Sequence, residues 1–435
     1  MKFLSFFLSL PYLLILHNYI AFLGSIFAGI FILLFASVYE IPLVLASWIA
    51  LPFIYEIGIA AGTEIKTSES ICIGKVEAVL ERSPTQALSR IPLRSLKYSW
   101  RQKSYNYCIN FETLKNYNVA IVGTSGSGKS HLAKLIIDKL NTSFLVFDPH
   151  GEYEIPSAVK IDASKIKINP LSLLGESPRQ RALEVAYMIK SVFNLGNIQT
   201  FEFYNLLLDA YTLKGIFDSN EETWKYDPPT FYDVYSILQK RKSSALSSNE
   251  LNKYSSLEPY VSFLANEVFA SNSINMEDLI DKNVIIDLSK VPTTEIRYII
   301  IETILRGIYS YLYSKGKSKL WKIVIMDESP FVLSKDTGKD IVVKLTAEGR
   351  KFGLGIMLIS QSSKLLKEIL PNISLFYAFA TVEPSELEYT SKFLSGSDEE
   401  EYKAIYETLQ KLDRGVMITK DIYKNSVILV RLSGN

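Results

Sequence analysis

Residues 119 to 130 read VAIVGTSGSGKS. A β-branched run closes on Gly123; Thr124, Ser125, Gly126, Ser127, Gly128, Lys129 and Ser130 follow; and a helical pattern opens at His131. This is the spacing of a phosphate-binding loop in the context it needs, strand before and helix after. Glycines let such a loop curl until backbone N–H groups point inward at a β-phosphate, helped by the positive end of the following helix. The pattern assigns residues 123–131 to nucleotide binding, with Lys129 reaching the β- and γ-phosphates of ATP and the Ser130 hydroxyl ligating Mg²⁺.

Hydrolysis of a nucleotide also needs a carboxylate near the metal and a base for the attacking water. Residues 322–328, KIVIMDE, run as an apolar strand into Asp327 and Glu328. Asp327 is the candidate to hold Mg²⁺ and its waters, and Glu328 the candidate to polarise the lytic water. Alone, the stretch also reads as a buried strand ending in a solvated acidic turn; a phosphate loop in the same chain favours the catalytic reading. Residues 348–361, EGRKFGLGIMLISQ, end a helix near Gly353 and put Gln361 at the tip of a strand. There Gln361 is placed to sense the γ-phosphate or orient water. Arg350 is a candidate arginine finger for a neighbouring subunit's nucleotide, or a solvated helix charge.

A further cluster, FDPHGEY at 147–153, sets Asp148, His150 and Glu152 around a Pro and a Gly. The chain has three histidines, His17, His131 and His150, so no second histidine is at hand to complete a metal shell here. Pro149 and Gly151 make the backbone a sharp turn. Asp148 and Glu152 are expected to be carboxylates behind the ATP site or at a subunit interface, and His150 a turn residue without a catalytic part.

These residues require a scaffold that brings several strand ends together. Strands alternate with helices from the phosphate loop onward: VIIDL at 284–288, a helix at 294–314, then strands at 375–380, 415–419 and 427–432. The alternation predicts an α/β fold with a mainly parallel sheet, whose ligands gather at the carboxyl ends of the strands. Between the FDPHGEY strand and residue 283, apolar residues recur at helical spacing over 179–193, 201–213, 230–242 and 254–269, a helical insertion. Lys240, Arg241 and Lys242 read as a phosphate contact or as a solvated helix end.

The first 62 residues are of another kind. No formally charged side chain occurs from Phe3 to Tyr39, and a second apolar run from Ile41 to Ala61 is broken only by Glu56. Such runs predict two or three membrane-spanning helices, against the rival reading of a cleaved signal peptide. The rest is expected to be cytoplasmic. Residues 63–111 combine short β-like runs with a basic strip: Arg82, Arg90, Arg94, Lys97, Arg101 and Lys103 occur between Glu81 and Glu112 without an acid among them. That strip suits anionic lipid, a nucleic-acid backbone or a solvated linker. A net charge of +1 over 435 residues excludes a strongly basic nucleic-acid coat. Cys72 and Cys108 fit no CxxC or zinc spacing, and no disulfide framework is expected. Abundant Ile, Tyr and Lys with scarce His and Cys suit a thermophilic archaeon.

With IVGTSGSGKS, VFDPHGEY, VIMDE and GRKFGLGIMLISQ in this order, the chain from about residue 105 onward resembles the HerA/FtsK superfamily of hexameric DNA-pumping ATPases. DPHGEY on the strand after the phosphate-loop helix is the piece most typical of HerA and its type IV secretion relatives. The resemblance implies a RecA-like P-loop core, a homohexameric ring, DNA as cargo, and a reduced barrel-like β region at 63–111. Its core would consist of a P-loop half at 112–174, an all-α insertion at 175–282 and a remainder at 283–435. The hydrophobic N-terminus departs from soluble HerA and looks like the membrane-anchored HerA-like ATPases of the crenarchaeal DNA-exchange (Ced) import system, which implies DNA import beside a membrane channel protein. A protein-export or pilus-assembly ATPase is the alternative, and a scaffold switched by nucleotide is a third reading.

Overall fold

The chain divides into two units, Met1–Glu69 and Ser70–Asn435. The computed structural model describes residues 70–82, 98–265, 267–269, 276–421 and 426–434, all in the second unit. The apolar runs expected to cross a membrane lie outside the described residues, as do Arg90, Arg94 and Lys97. Among the described residues, no helix is long and apolar enough to cross a membrane.

The second unit is built on an 11-stranded sheet. In chain order the strands are β1 (Ile71–Arg82), β2 (Tyr98–Ile109), β3 (Val119–Val122), β4 (Ser143–Asp148), β5 (Val159–Asp162), β6 (Val284–Asp287), β7 (Lys322–Met326), β8 (Leu354–Ser360), β9 (Leu375–Ala378), β10 (Val416–Lys420) and β11 (Val427–Leu432). Their spatial order is β2-β1-β11-β10-β9-β3-β8-β7-β4-β6-β5. From β9 to β5 every pairing is parallel, whereas β10, β11, β1 and β2 add on antiparallel.

The central strands β3, β7 and β8 are buried at every residue, as expected where helices cover both faces of a parallel sheet. Alternate residues separate cleanly between two apolar cores. Ala120, Val122, Val324, Met326, Ile356 and Leu358 face one, and Val119, Ile121, Ile323, Ile325, Met357 and Ile359 face the other. Helix α1 (Lys129–Lys139) covers the second face with Leu132, Ala133, Ile136 and Ile137. The first face carries the insertion, α2 (Pro178–Phe193), α3 (Asn197–Leu213), α4 (Phe231–Ser243), α5 (Ser248–Leu264) and the short α6 (Met276–Asp281), together with α7 (Thr294–Lys315). A buried ion-pair chain ties the insertion to the core: Arg306 on α7 bridges Glu184 on α2 at 3.1 Å and Glu302 at 2.8 Å. After β7, α8 (Pro330–Leu333) and α9 (Asp336–Glu348) return the chain to β8.

Three expectations need correction. Residues 63–111 do not make a separate barrel-like region in their described part. Instead β1 and β2 form a long hairpin that extends the main sheet through β11, because β1 finds a partner near the carboxyl end of the chain. Second, that hairpin sets Cys72 directly opposite Cys108, and the two form a disulfide that sequence separation had concealed. Third, the described members of the basic strip are engaged by acids: Arg101 and Lys103 share Glu81 on the neighbouring strand, and Arg82 pairs with Asp398. On α4, Arg241 pairs with Asp209 and Lys242 with Glu258, which accounts for two of that cluster's three cations within the helices.

Candidate active site

The phosphate loop runs from the end of β3 to the start of α1, and its backbone is unlike that of ordinary residues. Gly123, Gly126 and Gly128 have φ of +149°, +74° and +116°, a region that a side chain would disfavour. Gly128 is the helix N-cap and supplies no side-chain hydrogen bond, so the first turn of α1 keeps free N–H groups for an anion. The loop is anchored from below: Gly123 N–H donates to the Ser360 carbonyl, Thr124 N–H and hydroxyl donate to the Ala380 carbonyl, and the Ser127 hydroxyl donates to the Thr124 carbonyl. Ser125, Gly126, Gly128, Lys129, Ser130 and His131 face the cleft above it. The Lys129 ammonium folds back on the Thr124 carbonyl at 2.7 Å. Burial lowers its pKa, opposed by Asp327 and Glu328.

Strand order explains how distant residues meet. With β3, β8, β7 and β4 adjacent and parallel, their carboxyl ends present the phosphate loop, Gln361, Asp327 with Glu328, and the FDPHGEY turn as consecutive neighbours. They line one cleft of about 610 Å³ that also includes Lys134, His150, Glu152 and Arg414. Ser130 donates its hydroxyl to Asp327 Oδ2 at 3.0 Å, and Asp327 Oδ1 accepts the Glu328 N–H at 3.0 Å, which fixes the carboxylate plane. Burial raises the Asp327 pKa against the lowering effect of Tyr153 and Ser130.

These groups fit a magnesium ion. A hydroxyl and a carboxylate are hard oxygen donors, and Mg²⁺ takes one or two protein oxygens, completing its shell with phosphates and water. Beside them, the wholly buried Tyr153 hydroxyl faces Asp327 and Ser130. Among the described residues, no group of three His, Cys, Asp or Glu forms a metal cage.

Glu328 has φ +53°, a left-handed conformation that costs a non-glycine residue about 1 kcal/mol. Its Oε1 accepts from Gln361 Nε2 at 3.3 Å and lies 3.2 Å from His150 Nε2. Asp148 lies behind the cleft, close enough to act electrostatically on Asp327. It is buried beneath the turn, where its two oxygens accept the N–H groups of His150, Gly151, Glu152 and Tyr153 at 2.8–3.2 Å. Glu152 is exposed at the rim of the cleft, and its carbonyl takes the Lys134 ammonium at 2.7 Å.

Arg350 is not among the groups lining the cleft. It sits between α9 and β8, donating to the Leu114 carbonyl at 3.2 Å and lying over the Tyr117 ring. Two residues escaped the sequence reading. His150 reaches Glu328 only because β4 and β7 are neighbours. Arg414 enters the cleft because the Gly415 N–H docks on the Ser127 carbonyl at 2.9 Å, a contact across almost 290 positions that no local pattern announces.

Comparison with known proteins bears on this geometry. Residues 100–308 match the family described as helicase HerA, central domain. The DNA double-strand break repair helicase HerA of Sulfurisphaera tokodaii is 27% identical over 319 residues, covering 68% of this chain and 61% of that protein. The DNA import protein CedB of Sulfolobus acidocaldarius is 25% identical over 293 residues, covering 61% of this chain and 44% of that protein. The matches therefore span less than two thirds of these relatives' length. Among solved structures, VirB4 of Thermoanaerobacter pseudethanolicus superposes with a TM-score of 0.64 at 15% identity, over 76% of this chain and 94% of that one, a likeness of fold. The matching family domain and these relatives make the chain similar, over residues 100–308 and beyond, to HerA/FtsK-type ATPases.

Proposed function

We propose that the protein is a membrane-anchored ATPase that couples ATP hydrolysis to movement of DNA, working as a homohexamer in DNA import or transfer across the cell membrane. The observation that carries the ATPase part is the convergence of Lys129, Ser130, Asp327, Glu328 and Gln361 on one cleft from three adjacent strand tips. The phosphate loop would hold the β- and γ-phosphates with its N–H groups and Lys129, while Glu328 orients and deprotonates the attacking water. Mg²⁺, held through Ser130 and Asp327, would neutralise charge between the β- and γ-phosphates. Gln361 would report the γ-phosphate to β8. Arg350, outside its own cleft, is available to complete a neighbour's site in a ring.

DNA as cargo rests on likeness to a repair helicase and a DNA import protein, and membrane anchorage on the apolar runs of the first 62 residues. The multi-pass anchor leaves the ATPase unit in the cytoplasm, beside a membrane channel protein. The test is ATP hydrolysis by the full-length protein in detergent, with and without single- and double-stranded DNA. Stimulation of several-fold and retardation of the DNA are expected. An unchanged rate without retardation overturns the DNA reading and leaves polypeptide cargo, as in export or pilus assembly.

A further inference from the structure

Glu328 is gripped from both sides. Gln361, after β8, and His150, after β4, each place a side-chain nitrogen within 3.3 Å of the same oxygen, Oε1. A carboxylate oxygen engaged by two groups has fewer lone pairs free for water, and a general base must lie within hydrogen-bond reach of the proton it takes. The position of His150 is built rather than incidental. Asp148 holds the turn's four N–H groups, Lys160 holds the carbonyls of Gly151 and Tyr153 at 3.1 and 3.2 Å, and Lys134 holds that of Glu152. The imidazole itself is about half exposed at the cleft edge, so it contributes little to the core that such a scaffold would otherwise serve.

A second space adjoins the first. His150, Asp327 and Glu328 also line a cavity of about 180 Å³ on the other side, with Thr294, Arg297 and Phe331. The His150–Glu328 pair therefore borders both spaces.

We infer that His150 is a positioning residue that restrains Glu328 in a non-hydrolysing pose, released when the γ-phosphate draws Gln361 away and cargo-driven movement of the turn breaks the remaining contact. The inference rests on the cleft being an ATPase site. It deepens that reading by assigning a restraint on idle hydrolysis to the turn that follows β4.

The experiment measures kcat and KM for ATP of the full-length protein without DNA, for wild type, His150→Ala, His150→Gln and the inactive reference Lys129→Ala. The His150→Ala protein is expected to hydrolyse ATP about three- to tenfold faster at an unchanged KM, and His150→Gln, which keeps a donor, to return toward the wild-type rate. Where DNA stimulates the wild type, the stimulation factor shrinks in His150→Ala by the same ratio. A fall in kcat would make His150 a support of the active pose and overturn the restraint, and a change confined to KM would make it a nucleotide contact. An acceleration that His150→Gln shares would show that the donor is irrelevant, also against the proposal. A wild-type rate no higher than that of Lys129→Ala removes the ATPase reading and the restraint with it. Indifference to DNA removes only the cargo, since the expected change is read in the basal rate.

Discussion

The two parts of the sheet do different work. From β9 to β5 the strands are parallel, and the tips of β3, β8, β7 and β4 carry the phosphate loop, Gln361, the acidic pair and the FDPHGEY turn. From β10 to β2 they are antiparallel, closed by a disulfide and surface ion pairs, and they reach the cleft through Arg414 alone among the described residues. The difference is topological. Parallel connection brings every strand's carboxyl end to one side, where turns can pool their side chains, whereas antiparallel neighbours alternate ends and cannot. Chemistry should therefore fail on changes in the first part, and stability without chemistry on changes in the second.

The largest effect is expected at the acidic pair and the loop. Glu328→Gln removes the proposed base and Lys129→Ala the cation proposed to face the γ-phosphate, and each should lower kcat by at least a hundredfold. Glu328→Gln should still bind nucleotide, whereas Lys129→Ala should lose affinity. Retention of more than a tenth of the activity in Glu328→Gln would show that the cleft borrows its base from elsewhere.

Next come changes in the antiparallel part. Cys72 and Cys108 close a loop of 36 positions, and in the chain-entropy account a crosslink of that span contributes about 3–4 kcal/mol. Cys72→Ser with Cys108→Ser, or a reductant on the wild type, should lower the stability measured by denaturant unfolding by that amount. ATP hydrolysis at 25 °C should stay within about twofold, because none of the hairpin's described residues lines the cleft. A parallel collapse of activity would show that the two parts are not separable.

These two outcomes mirror how the molecule can be read. The phosphate loop and the apolar strand into Asp327 and Glu328 were legible because their chemistry demands particular residues at fixed local spacing. Gln361 was legible because a strand before it placed it at a tip. Helix limits in the insertion moved by a few residues, as at Ser248–Leu264 against an expected 254–269, because apolar spacing continues past the point where the chain turns. The disulfide, the sheet-extending hairpin, His150 beside Glu328 and Arg414 beside the phosphate loop were not legible. Each depends on which strands neighbour one another, and β1 beside β11 or β4 beside β7 is set by the packing of the whole sheet rather than by any local pattern.

The parallel part has a far end as well, and Lys322 marks it. It begins β7, opposite the end that carries Asp327, buried with its ammonium on the Lys282 carbonyl. Burial lowers its pKa to about 7. Since the unfolded lysine titrates near 10.4, the unfolded chain binds the extra proton between about pH 7 and 10. Stability should therefore rise as pH climbs through that window, with the full cost present below about pH 7. Lys322→Met should flatten that rise and stabilise the protein at pH 7 by about 2 kcal/mol, less than half the nominal linkage for such a shift. Hydrolysis should be untouched, since the residue lies at the opposite edge of the sheet. An unaltered pH profile in Lys322→Met would show that the lysine stays charged in the fold.

The smallest expected effect bears most directly on the division between the two parts. Arg414 precedes β10, an antiparallel strand, yet it is exposed in the cleft beside Lys129 and His131. Its guanidinium is available to a nucleotide phosphate or to the charge that develops during transfer. Arg414→Ala should lower kcat/KM for ATP by about tenfold, near 1.4 kcal/mol of transition-state stabilisation. Arg414→Lys should recover part of it, since a point charge replaces a planar fork incompletely. How the loss divides locates the contact: a rise in KM alone assigns Arg414 to the bound nucleotide, and a fall in kcat assigns it to the transition state. No change in either would leave the antiparallel strands as scaffold only, and the Gly415 contact with Ser127 as a prop for the loop rather than a route by which the second part of the sheet enters the chemistry.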